Sequence, residues 1–237
     1  MKRVFLLFVP LMFSQVVLAE VIKGELFEQK THFGKKLYDL VIDVQKKEGL
    51  TQTFVSYKDL QGNVVVQENG TFKGDELISL DIDQKQTQEK GFIQVEGDQV
   101  LFTYEKDGKK KTDKEKLRKP LLSQANFNTY VANHWDEIVR PEGVEVRFAV
   151  WFRLETVGFK IFKVGERQKD GQKWVHLRMK PSNMVIAALV DPLELWYEES
   201  SRHLMEMSGR VSPKTKSGDS FMDLDCDVRY TFPNSSK

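Results

Sequence analysis

Apolar and polar residues alternate with a period of two along most of this chain, the rhythm of half-buried β-strands. Tyr38, Leu40, Ile42 and Val44 share one face, and short runs follow at residues 51–58, 64–72, 77–84, 92–95 and 100–105. Gln61-Gly62-Asn63, Lys73-Gly74-Asp75, Glu96-Gly97-Asp98 and Lys106-Asp107-Gly108 separate these runs. Such residues make tight turns, so an antiparallel meander is expected. Further on, Val144, Val146, Phe148, Val150, Phe152 and Leu154 alternate over what reads as one long strand. Strands are also expected at 157–166, 173–180, 193–198, 203–209 and 220–232, bringing the total to about a dozen.

Two segments break the rhythm. Phe127, Tyr130, Val131, His134, Trp135 and Ile138 fall on one helical stripe, with Ser123 as its expected cap and Pro141 and Gly143 beyond its end. Residues 182–190 are apolar without alternation and lie between Pro181 and Pro192; two alanines and the Ser182-Asn183 pair favour a short buried helix over a strand. The expected fold is therefore mostly β: a curved antiparallel sheet, or an open or closed β-barrel, with one amphipathic helix and one short apolar helix.

Composition sharpens this picture. The 237 residues are 40% hydrophobic and 30% charged, which is too apolar for a disordered chain and too polar for a multi-span membrane protein. A net charge of +1 gives no reason to expect a nucleic-acid partner. Met1-Lys2-Arg3, an apolar run over 4–17 and Val17-Leu18-Ala19 read as a signal peptide cleaved before Glu20. Residues 1–19 are thus assigned to the leader and 20–237 to a single β-rich domain, periplasmic or secreted. No cysteine follows the apolar run, so no lipid anchor is expected.

Candidate chemistry is sparse. Cys226 is the lone cysteine; it alternates with Leu224, Val228 and Tyr230 and reads as a small core residue. His32, His134, His176 and His203 lack metal-ligand spacing, and His134 is expected to pack beside Trp135. Asp223, Asp225 and Asp227 do not continue into a calcium loop and read as the solvent side of a strand. Residues 106–119 are rich in lysine and read as a solvated hairpin or linker, with a polyanion or phosphorylated lipid as the sharper alternative. No nucleophile elbow, phosphate loop or zinc-protease motif is present, so no catalytic residue, metal or cofactor is assigned.

The stretch 126–136 (NFNTYVANHWD), the alternation at 144–154, the phrase 189–197 (LVDPLELWY) and the final strands resemble an uncharacterised family of bacterial exported proteins, over residues 117–232. That resemblance implies no known reaction. A more distant fold analogy is to the open-barrel carriers of lipoprotein localisation, which hold acyl chains under helices. The leading reading is a non-enzymatic protein binding a lipid or other apolar small molecule in the concavity of its sheet. Phe148, Val150 and Phe152 would line the sheet, Trp135 would face them from the helix, and Met184, Ile186 and Leu189 would form a lid. Two alternatives remain: an envelope structural or assembly protein that docks another protein, and a hydrolase with dispersed carboxylates. The oligomeric state is not legible in the sequence.

Overall fold

The computed structural model describes residues 18–188 and 190–233. The strands are β1 (Leu18–Glu28), β2 (Lys36–Lys47), β3 (Leu50–Lys58), β4 (Val64–Lys73), β5 (Glu76–Gln84), β6 (Glu89–Glu96), β7 (Gln99–Lys106), β8 (Lys109–Lys116), β9 (Leu121–Leu122), β10 (Val144–Val150), β11 (Glu155–Lys169), β12 (Gln172–Pro181), β13 (Leu193–Glu198), β14 (Leu204–Ser217) and β15 (Ser220–Thr231). The helices are α1 (Phe127–Asn133), α2 (Trp135–Ile138) and α3 (Met184–Ala187). All fifteen strands form one sheet in the order β8-β7-β6-β5-β4-β3-β2-β1-β15-β14-β13-β12-β11-β10-β9. Every pairing is antiparallel except β9 with β10. The mostly-β curved sheet expected from the alternation is the fold. The leader read at 1–19 lies outside the described residues except for Leu18 and Ala19, which open β1 opposite Lys46 and Gln45.

The sheet curls without closing its ladder. β8 and β9 are both edges, and β8 is tied across to β11 by side chains: the Glu115 carboxylate accepts from Thr156 N (3.0 Å) and Thr156 Oγ1 (2.7 Å). A second tie crosses the concave side from β14 to the β4–β5 hairpin. There Gln84 Nε2 donates to the Ser212 carbonyl (2.8 Å), and the Ser212 hydroxyl donates to Glu68. α1 and α2 run across the concave face between β9 and β10. Asn126 fixes their start; it is fully buried and donates to the carbonyls of Leu121 (3.0 Å) and of Asp75 (2.8 Å) in the β4–β5 turn.

Several elements differ from the sequence reading. The alternation through Leu154 is broken at Val150, because Arg153 N donates to the Val150 carbonyl (3.1 Å) and Leu154 adopts φ 58°, turning the chain into β11. The stripe at 127–138 is two helices with His134 between them at φ −106°, and Asn126 rather than Ser123 holds the cap position. α3 forms where the Ser-Asn cap predicts it, Asn183 Oδ1 accepting from Val185 N (2.8 Å), yet no residue of it is buried. β8 has no apolar period at all. Its lysines suit an edge strand, where charge discourages further strand addition.

Candidate functional site

The concave face carries three apolar clusters, and they are unequally covered. Among the described residues the first has fourteen buried members and seven half-buried neighbours; it fills the space between α1–α2 and β10–β14. The second, under β5–β7, has eleven buried members against four half-buried ones and is capped by Leu121, Ala125 and Trp151. Glycines make this cap fit: a Cβ on Gly91 would stand 2.5 Å from the Trp151 ring, and one on Gly70 would stand 2.1 Å from the Ala125 Cβ. The third cluster reverses the proportion. Only Leu26, Leu40, Val55, Cys226 and Val228 are buried, and eight neighbours, Tyr57 and Tyr230 among them, are half-buried. Neither the helices nor Trp151 belongs to this cluster.

The third cluster opens at one end of the strands. A notch of about 230 Å³ is lined by Leu37, Tyr38, Asp59, Leu60, Gln61, Thr215 and Leu224, of which Leu37, Tyr38 and Leu224 also pack on the cluster. Its rim is polar and ordered. The Tyr38 hydroxyl donates to the Lys214 carbonyl (2.9 Å), and Gln86 both donates to that carbonyl (3.0 Å) and accepts from Lys214 N (2.7 Å).

Inside this region sits Glu68, 1% exposed. It occupies an inner position of β4 with Val66, Gly70 and Phe72, opposite Val55 of β3. Ser212 serves one carboxylate oxygen; the other oxygen, and the Thr53 hydroxyl on the same face of β3, are buried without a hydrogen-bond partner. Burial pushes the Glu68 carboxyl up to about 7, against a smaller opposing effect of the Ser212 hydroxyl. Desolvation, with the Glu68 charge adding to it, likewise drives the phenols of Tyr57 and Tyr230 above their ordinary range. The result is a mixed surface of aliphatic and phenol groups around one uncompensated carboxyl.

The residues singled out from sequence do not form one site. Trp135 is buried in the first cluster, edge-on to Tyr197 at 5.8 Å. Phe148 is half-buried beside it, edge-on to Phe159, and Val150, also half-buried, ends β10. Phe152 leaves the strand and is 52% exposed, with Lys214 Nζ 5.8 Å from its ring. Met184 is 88% exposed and Ile186 half-buried in α3. Leu189 lies outside the described residues. Sequence reasoning missed Glu68, whose signal was a carboxylate in the apolar register of β4.

Most other polar side chains find local partners, the buried Arg167 Nε and Asp43 Oδ1 being exceptions. His134 Nε2 meets Asp75 at 2.7 Å and its ring stacks on Tyr130. Asp223 and Asp225 are bound by Arg210, and Lys214 adds to Asp223. Buried Glu206 is held by Arg167 (2.7 Å) and Lys169 (2.5 Å). A groove of about 410 Å³ on the outer face of β4–β8 is lined by Gln67 and by Asp83, Lys90, Glu105 and Lys110, the last four alternating in sign across strands. Among the described residues no group of three or more His, Cys, Asp or Glu is arranged to hold a metal ion. No described helix is long and apolar enough to cross a membrane.

No protein-family model matches the chain, and no curated protein matches its sequence. Two solved structures resemble it. One is described as an outer membrane lipoprotein-sorting protein domain from Vibrio parahaemolyticus, at 5% identity and a TM-score of 0.26, covering 92% of this chain and 86% of that one. The other is a DUF1329 family protein from Desulfovibrio piger, at 9% identity and a TM-score of 0.25, covering 94% of this chain and 88% of that one.

Proposed function

We propose that this is an exported, non-enzymatic protein that binds an amphiphilic or apolar small molecule on the third cluster of its concave face. The observation that carries the reading is the unequal covering of the sheet. Two clusters are closed by the helices and by Trp151, whereas the third keeps eight half-buried apolar or phenolic side chains, three of which, Leu37, Tyr38 and Leu224, line a notch. Half-buried apolar surface that converges with a few polar groups is the usual makeup of a small-molecule site. The ligand's apolar part would lie along Tyr57, Tyr230, Leu224 and Leu37, and its polar end would remain at the Tyr38–Gln86–Lys214 rim.

The site differs from the one expected under the helix. Trp135 and Phe148 support the fold, and of the sequence-assigned residues Phe152 and Met184 stand at the end of the strands where the notch opens. Titration with a fluorescent fatty-acid probe tests the reading. Saturable binding is expected, weakened on the order of tenfold by Leu224→Arg, a loss of about 1.4 kcal/mol, while Leu101→Arg on the far side of the sheet leaves it unchanged. Equal effects of the two substitutions, or no saturable binding, would refute it.

A further inference from the structure

The antiparallel order places the β3–β4, β10–β11, β12–β13 and β14–β15 connections at the same end of the strands. This end collects exposed apolar side chains: Leu60, Phe152, Met184, Val185, Phe221 and Met222, with Met184 and Val185 at 88% and 72%. Leu60, Phe152, Met184 and Val185 stand on three separate connections, and Phe221 and Met222 open β15 beside the β14–β15 turn. Exposed apolar surface gathered at one place marks a contact with a protein or a membrane. α3 carries the two most exposed side chains of the group. Asn183 caps it, and the hydrogen bond from Ser182 N to the Gly158 carbonyl (2.9 Å) fixes its base on β11, so its side chains are held outward rather than folded back.

The charges beside α3 indicate what it meets. Lys160 and Lys180 stand directly opposite each other on β11 and β12, next to Pro181. Like charges in that position destabilise a sheet. Glu145 faces Lys160 from β10, Lys180 lies over the Phe162 ring (5.4 Å), and neither lysine has a carboxylate within salt-bridge distance among the described residues. Arg153 and Lys214 on the neighbouring connections each share a carboxylate, and Asp191 lies at the far end of the α3 loop. The cations therefore border the apolar group and await an anion.

We propose that this end of the sheet docks on an anionic phospholipid surface, with Met184 and Val185 entering the interfacial region and Lys160 and Lys180 meeting lipid phosphates. Apolar area and electrostatic attraction act together in such interfacial binding. The inference rests on the reading above only for its setting, an exported protein that meets bilayers. It gives the notch a direct route to lipid, since Leu60 belongs both to the notch and to this rim.

Co-sedimentation of the purified protein with vesicles of phosphatidylethanolamine and phosphatidylglycerol, against vesicles of phosphatidylcholine alone, tests it. Binding to the anionic vesicles is expected, reduced by high salt. Met184→Asp with Val185→Asp should reduce it about tenfold or more, and Lys160→Glu with Lys180→Glu should remove its salt dependence. These side chains are on the surface, so unchanged melting temperatures will certify the folds. Failure of the native protein to bind, or binding untouched by both pairs of substitutions, would overturn the inference. Capture of a protein partner that the α3 substitutions abolish, with no vesicle binding, would overturn it in favour of a protein contact. Probe binding in solution is unaffected by these substitutions if the notch is the ligand site, so loss of docking and loss of ligand binding are separable.

Discussion

Glu68 is a carboxyl placed where the sheet buries it without a cation. Its folded-state value of about 7 lies above the ordinary carboxyl value of 4.5, so folding favours the protonated form. Its contribution is complete below the unfolded value and is lost as the pH rises through the folded one, a fall of about 3 kcal/mol at most. Urea unfolding of the native protein and of Glu68→Gln between pH 5 and pH 8 should diverge, the native midpoint falling with pH more steeply than that of the variant. Parallel curves would show that Glu68 keeps an ordinary titration. Cys226 presents the same physics in a thiol: burial foremost, then the charges of Asp227 and Asp225, push it up to about 12. It should resist alkylation at pH 8 in the folded protein and react once urea unfolds it; prompt reaction in the folded state would contradict its placement.

At the scale of elements, packing rather than local propensity shapes the helical segment. Its stripe is apolar apart from His134, and the chain breaks there, where the imidazole is drawn to Asp75 and stacked on Tyr130. Trp135 begins the second helix, and Trp135→Ala should cost about 3–5 kcal/mol in chemical denaturation, because it empties the middle of the first cluster. Gly91→Ala should cost about 1–3 kcal/mol by driving a methyl into the Trp151 ring; an unchanged midpoint would mean that the ring yields freely. The hairpins joining β3 to β4, β4 to β5 and β6 to β7 were legible because apolar alternation and glycine turns agreed there. The alternation at 144–154 misled because Phe152 and Leu154 continue the apolar period within the turn that follows β10, Phe152 exposed and Leu154 packed on the second cluster. β1 was hidden by Leu26 and Phe27, adjacent residues buried on opposite faces, and β8 by a composition that lacks an apolar face.

For the whole molecule, period-two alternation specifies that a sheet forms and that one face is inside, but not which parts of that face receive a cover. That depends on where the crossing segment between β9 and β10 comes to rest. α1–α2 and Trp151 cover two of the three clusters and leave the third to the half-buried residues of β2, β3, β14 and β15. The notch was illegible in the sequence for the same reason: Leu37, Leu60 and Leu224 are far apart along the chain and meet only because the β14–β15 hairpin folds towards β3 and β4. The fold should be complete without ligand, and a ligand should add stability by mass action. Native mass spectrometry of the protein purified without detergent from its own host tests this most directly. A bound amphiphile of defined mass, removed by organic extraction and restored on adding it back, is the predicted result; a single unliganded mass that no added lipid shifts would contradict it.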